Sequence, residues 1–159
     1  GIRVSECVGL DINDIDFDTD RIKIVRKGGY EAYVYFGQEA RNALLDYMEE
    51  RKKIIPVDGH EQALFLSNQR KRISVRSVEN MVKKYASVTT PLKHITPHKL
   101  RSTYGTALYQ QTSDIYLVAD VLGHKDVNTT KKHYAAMDEW QRMKAKDAVT
   151  LREHPNSSK

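Results

Sequence analysis

The chain has 159 residues, 40% of them hydrophobic, and carries 26 Lys and Arg against 21 Asp and Glu, a formal net charge of +5. That length gives one compact domain a real core but is too short for two full-sized domains, and the composition excludes a disordered tail. No apolar run approaches the roughly 18 residues that cross a bilayer, and Cys7 is the single cysteine, which excludes a disulfide scaffold and fits an intracellular protein.

In chain order, the first residues, GIRVSECVGLDINDI, read as the middle of a packed unit, a piece of a longer chain, with a processed mature start as the alternative. Val4, Cys7 and Val8 stand at helical spacing, which predicts a short helix ending before Asp11. Ile15 and Phe17 precede a turn-like DTD, and Ile22 and Ile24 alternate with polar residues. Beyond Lys27-Gly28-Gly29, the residues Ala32, Val34 and Phe36 alternate again, so two strands joined by a Gly-Gly turn are predicted. Gln38 to about Lys53 carries Ala40, Ala43, Leu44, Tyr47 and Met48 on one helical face, and Pro56 with Asp58-Gly59 stops it.

Residues 63–66, ALFL, predict a small buried strand, and NQRKR a polar turn. Ser74 is placed to cap a helix bearing Val75, Val78, Met81, Val82 and Tyr85. A loop, SVTTPLKHITP, leads to a helix from Pro97 to about Gln110. Ser113 or Asp114 caps the next helix, which ends at Gly123. Asn128-Thr129-Thr130 opens a short segment through KKHYAAM. A final polar helix is predicted over roughly Asp138 to Arg152, with a flexible tail over 153–159. The sum is a mainly α domain with a small antiparallel β-sheet, an α+β fold occupying residues 1–152.

The positive charge is segregated. Between Asn68 and Arg101 stand nine basic residues and one acid, Glu79, a net of +8 that leaves the rest of the chain at −3. Such a segment suits phosphate contacts, which supply salt-dependent affinity rather than sequence selection. Arg70, Lys71 and Arg72 lie at a turn from which they can reach a DNA backbone. Ser74 and Arg76 open a helix whose N-terminus can approach a phosphate, and Lys99 extends the basic run. A surface loop without a partner is the alternative.

Several residues carry chemistry only in combination. Arg101 follows His98 by three residues, so a guanidinium and an imidazole share a helix face. His124 follows Gly123 at a helix end. Tyr134 lies ten residues further on, where a core aromatic or a surface hydrogen bonder is the ordinary reading among nine tyrosines. Arg3 and Glu6 read as a helical ion pair worth a few tenths of a kcal/mol. Lys27 reads as a solvated hairpin lysine.

Taken together these positions resemble one family. R3-x-S-E6, Lys27 in the hairpin, H98-x-L-R101 in TPHKLRSTYGT, L-G-H124 in VADVLGHKDVNTT and Tyr134 in KHYA are similar, in order and spacing, to the catalytic domain of the tyrosine recombinases, the phage-integrase family. The resemblance covers roughly residues 1 to 150. It implies a DNA breaking-and-rejoining enzyme. By that correspondence Arg3 and Arg101 grip the scissile phosphate, Lys27 protonates the departing 5′-oxygen, and His98 moves the tyrosine's proton. His124 hydrogen-bonds the phosphate, Tyr134 is the nucleophile, and Glu6 supports the site. The chemistry is coherent: donors aimed at the phosphoryl oxygens replace a metal, and a phosphotyrosyl link conserves the cleaved bond's energy. No cofactor, metal or ATP is therefore expected.

Ser102 stands where many relatives have a second histidine, and Glu31 where many have a further basic residue. The family's usual helix before the first arginine is expected to lie upstream of these residues. The resemblance further implies double-stranded DNA attachment or recombination sites as substrate, a homotetramer on DNA formed through the C-terminal segment, an accessory directionality factor, and a cytoplasmic, nucleoid-associated setting in a bacterium or phage. Trp140 and Met143 are candidate interface anchors, with core packing the alternative. Integration or excision of a mobile element is the expected role. Chromosome-dimer resolution, a type IB topoisomerase and a catalytically silent DNA-binding module are the alternatives.

Overall fold

In the computed structural model residues 1–145 and residue 148 are described. They form a mainly helical fold with one small antiparallel sheet, divided into two compact units, Gly1–Tyr104 and the residues from Gly105 onward.

The first unit begins with α1, Val4–Val8, which is closed by the Glu6 carboxylate accepting the Arg3 backbone N–H at 2.7 Å. The sheet has three strands in the order β1-β2-β3: β1 Ile15–Asp16, β2 Arg21–Arg26 and β3 Tyr30–Tyr35. The β2–β3 register pairs Ile22 with Val34 and Ile24 with Ala32, which puts these four on one face against Leu10, Leu64, Tyr47 and Met48. Arg21, Lys23, Tyr33 and Tyr35 alternate onto the other face. Two strands are expected from the sequence, and the third is a difference. The Asp16 carboxylate accepts the Asp18 N–H at 2.9 Å and the Thr19 hydroxyl at 2.6 Å. This closes the DTD turn into a hairpin and pairs Ile15 with Ile22.

Helix α2, Gln38–Lys52, turns Leu44, Tyr47 and Met48 inward, while Ala40 and Ala43 of the expected stripe lie in solvent. The stripe is completed by Arg51, which is buried and donates to the carbonyls of Ala63 and Glu61 at 3.0 Å. Those bonds explain why residues 63–66 are buried but form no strand. Tyr47 Oη donates to the Leu64 carbonyl and accepts from Leu66 N–H, and Leu64 N–H donates to Leu10. Side chains and single bridges, Asp11 with Ala63 and Leu66 with Arg72, satisfy the peptide groups that a ladder would otherwise serve.

Helix α3, Val75–Thr89, starts at Ser74, whose hydroxyl accepts the Ser77 N–H at 3.1 Å, and it runs into the expected loop as far as Thr89. We expect Ser74→Ala to cost about 1 kcal/mol in urea unfolding, the ordinary value of an N-cap; an unchanged midpoint would show that the cap contributes nothing. Helix α4, Pro97–Thr112, is capped by Thr96, which accepts the Lys99 N–H at 3.2 Å.

In the second unit Asp114 caps α5, Ile115–Leu122, by accepting from the N–H groups of Tyr116 and Leu117. Gly123 ends α5 in the left-handed region at φ 68°, the conformation that glycine adopts without steric cost. Helix α6 is continuous over Val127–Ala145, a correction to the two separate segments expected. Asp126 caps it through the Asn128 N–H, and no Gly or Pro interrupts the nineteen residues. The core of this unit is Tyr109, Val118, Leu122 and Tyr134. The expected end of the last helix near Arg152, the tail at 153–159 and the side chain of Trp140 lie outside the described residues.

Candidate active site

The first unit gathers three of the expected residues. Glu6 is buried, and its carboxylate holds Arg3 twice, through the backbone N–H and through Nη1 at 3.1 Å. Such a carboxylate fixes a guanidinium in place, which matters more here than the few tenths of a kcal/mol that a solvated helical pair contributes. Arg101 is 9% exposed and donates from Nη1 to the Gly1 carbonyl at 2.6 Å. Arg101 is therefore tied to the chain two residues before Arg3, while Arg3 itself is held by Glu6. His98 lies one turn before Arg101 on α4 and is exposed. Lys27 is exposed at the tip of the β2–β3 hairpin, in a loop closed by Gly29 N–H donating to the Arg26 carbonyl. Gly28 and Gly29 both adopt positive φ, 91° and 79°, which lets three residues reverse the chain.

The second unit holds His124 and Tyr134. His124 N–H donates to the Ala119 carbonyl and Gly123 N–H to that of Asp120, so the histidine backbone is part of the α5 terminus. Its ring Nδ1 lies 2.6 Å from Oγ1 of Thr130, in the first turns of α6. Tyr134 is 2% exposed. Its ring packs on Tyr109, with centroids 5.4 Å apart and planes inclined at 39°. The hydroxyl approaches α4 so closely that a Cβ at Gly105 would lie 2.3 Å from it. Tyr109 in turn hydrogen-bonds the Asp138 carboxylate, one turn beyond Tyr134. That bond, with burial, pushes the Tyr109 phenol above its usual range. Among the described residues no group of three or more His, Cys, Asp or Glu could hold a metal ion.

A model of the phage integrase family matches residues 1–140. The chain belongs to that family. It is 39% identical over 136 residues to the tyrosine recombinase XerC of Thermodesulfovibrio yellowstonii, covering 82% of this chain and 44% of that protein. It is 35% identical over 131 residues to XerC of Corynebacterium glutamicum, covering 82% of this chain and 41% of the relative. The crystal structure of XerA recombinase superposes with a TM-score of 0.79 at 27% identity, covering 95% of this chain and 54% of that one. The chain thus spans less than half the length of the two XerC relatives.

In this integrase-family chain the basic segment is not uniformly presented. Lys71, Arg76 and Lys99 are exposed. Arg70, at a positive φ of 62°, donates to the Ile55 carbonyl at 3.3 Å. The Ser74 hydroxyl is engaged as the α3 cap. Arg72 is engaged within the chain: its guanidinium donates to the carbonyls of Val8 and Leu10, at 3.1 and 2.8 Å, and pairs with Asp11. It closes the C-terminal end of α1, where unpaired carbonyls attract a cation. Asn68, Lys71, Ser77, Asn80, Lys84 and Tyr85 line an open groove between the 66–74 loop and α3.

Sequence reasoning missed Thr130, Gly105 and the Tyr109–Asp138 pair. The Thr-Thr after LGH and a lone glycine inside a helical pattern are the signals that mark the first two. The hydrogen-bonded pair has no sequence signal, since 29 residues separate its members.

No helix among the described residues is long and apolar enough to cross a membrane.

Proposed function

We propose that this chain performs the breaking and rejoining steps of site-specific DNA recombination through a 3′-phosphotyrosyl intermediate. Tyr134 Oη attacks the phosphorus, and the bond to the 5′-oxygen breaks. His98 takes the phenolic proton, and Lys27 gives one to the departing oxygen. Arg3, Arg101 and His124 donate to the non-bridging oxygens, where charge grows in the transition state. Rejoining is the same sequence reversed, with a 5′-hydroxyl of the partner strand as nucleophile. The observation that carries this reading is that Arg3 is held by a buried carboxylate, Glu6, while the buried Arg101 bonds the Gly1 carbonyl two residues before it. A solvated ion pair has no need of that arrangement. Since Tyr134 is 2% exposed, attack further requires that it leave its packed position.

Exchange between two duplexes breaks four strands, so four chains on DNA follow from one tyrosine each. The C-terminal segment is the proposed contact, supported by Met143, which is 63% exposed on α6. Lys71, Arg76 and Lys99 are proposed to reach phosphates, with Arg70 and the Ser74 end of α3 beside them. Movement of a mobile element in a bacterium or phage is the proposed role, with a directionality factor as partner and the nucleoid as setting.

The test is covalent capture. A 5′-labelled, nicked duplex library with randomised arms loses its short 3′ fragment after attack, which traps the intermediate. We expect an SDS-resistant adduct that forms in EDTA and maps to the peptide containing Tyr134. Binding without an adduct would favour a silent DNA-binding module, and relaxation of a supercoiled plasmid without strand exchange a topoisomerase.

A further inference from the structure

The geometry points to Thr130 as the positioning residue of His124, fixing the imidazole in the tautomer that carries its proton on Nε2. The inference rests on the reading of His124 as a donor to the phosphate. Thr130 is 0% exposed, and the hydrogen bond of its hydroxyl is the 2.6 Å contact with His124 Nδ1. A buried hydroxyl proton needs an acceptor, and leaving it unmet costs about 1–3 kcal/mol. Nδ1 is that acceptor only when it bears a lone pair. The neutral ring then holds its proton on Nε2 and offers Nε2–H to an anionic oxygen.

Two features make the hold rigid. The His124 backbone is locked by its bond to Ala119 at the end of α5, so the ring can turn only about its own side-chain torsions. Thr130 is β-branched and sits within a helix, where few χ1 wells are open to it. Fixing Nδ1 from a buried, pre-set hydroxyl therefore also fixes the direction of Nε2–H. The opposite tautomer would set Nδ1–H against a hydroxyl whose own proton then lacks this acceptor.

The experiment is nitrogen-15 NMR of the histidine-labelled chain at about pH 8.5, where ordinary imidazoles are neutral. The His124 ring is assigned by its loss in His124→Gln. We expect a pyridine-type Nδ1 and a pyrrole-type Nε2 in the unmodified protein. In Thr130→Val, which keeps the shape without the hydroxyl, both signals move toward averaged values, and Thr130→Ser restores them. On the nicked duplex library, Thr130→Val lowers the rate of adduct formation about 10- to 100-fold, the range found when the partner that orients a metal-bound histidine is removed, and Thr130→Ser recovers most of it. A pyrrole-type Nδ1 in the unmodified protein, or unchanged nitrogen shifts in Thr130→Val, would overturn the inference. If Thr130→Val does not fold, the unmodified spectrum and Thr130→Ser still decide. Undiminished adduct formation by His124→Gln would instead remove the phosphate role of His124 and leave the tautomer result standing.

Discussion

Tyr134→Phe is expected to abolish covalent attachment to DNA while leaving DNA affinity within about twofold and the fold intact. The loss is at least about 10⁴-fold, because removal of a nucleophile leaves only what the remaining residues achieve with water. Affinity is spared because phosphate contacts by arginine and lysine, not the tyrosine, supply it. The fold is spared because the ring, not the hydroxyl, makes the stacking contact with Tyr109 and lies in the core with Val118 and Leu122. Even a buried hydrogen bond, where lost, costs only about 1 kcal/mol, which a domain tolerates. Denaturing gels of the trapped complex and a filter-binding titration check the two halves. Adducts that persist in Tyr134→Phe would assign the nucleophile to another residue.

Gly105→Ala is expected to destabilise the protein, and Tyr134→Phe is expected to rescue it. Alanine in a helix interior is favoured over glycine by about 1 kcal/mol, so the substitution would stabilise an open helix face. Here the new methyl would lie 2.3 Å from the Tyr134 hydroxyl and 3.0 Å from Leu122 Cδ1. Overpacking of a core costs about 1–3 kcal/mol, and an overlap this deep belongs at the upper end, so the net is a loss of about 2 kcal/mol. With phenylalanine at 134 the hydroxyl contact vanishes, and the nearest ring carbon, 3.5 Å away, is at ordinary contact distance. The double variant should then be more stable than Gly105→Ala alone, with a coupling of about 2 kcal/mol. Urea unfolding of the four proteins measures it. Strict additivity would mean that Tyr134 does not rest against Gly105 in solution.

The elements legible in the sequence are those encoded by local chemistry. Ser74, Asp114 and Gly123 sit where their side chains or backbone freedom are needed, and the structure uses Ser74 and Asp114 as caps and Gly123 as a left-handed terminus. The β2–β3 pairing was legible because alternation at Ile22, Ile24, Ala32 and Val34 leaves one register that buries all four. What stayed hidden depends on distant partners. Residues 63–66 look like a strand by composition, but Arg51 and Tyr47 reach across to take their carbonyls. Arg72 looks like one more cation of a basic turn, yet the carbonyls that engage it are more than 60 residues away in sequence. The continuity of α6 was obscured because the polar run through KKHYAAM lacks a sustained apolar stripe, while a capping Asp126 and the absence of breakers let the helix run on.

The sequence by itself determined the family, because the spacing of Arg3, Lys27, His98, Arg101, His124 and Tyr134 is a chemical pattern that survives without coordinates. It also determined the fold class, through periodicity and caps. Only the tertiary structure decided how the residues are held: Glu6 buried beneath Arg3, Thr130 buried against His124, and Tyr134 packed on Tyr109 with its hydroxyl at Gly105. The reason is physical. Residue type and order specify which reaction is possible, whereas burial and hydrogen-bond geometry arise from chain segments that meet only after folding.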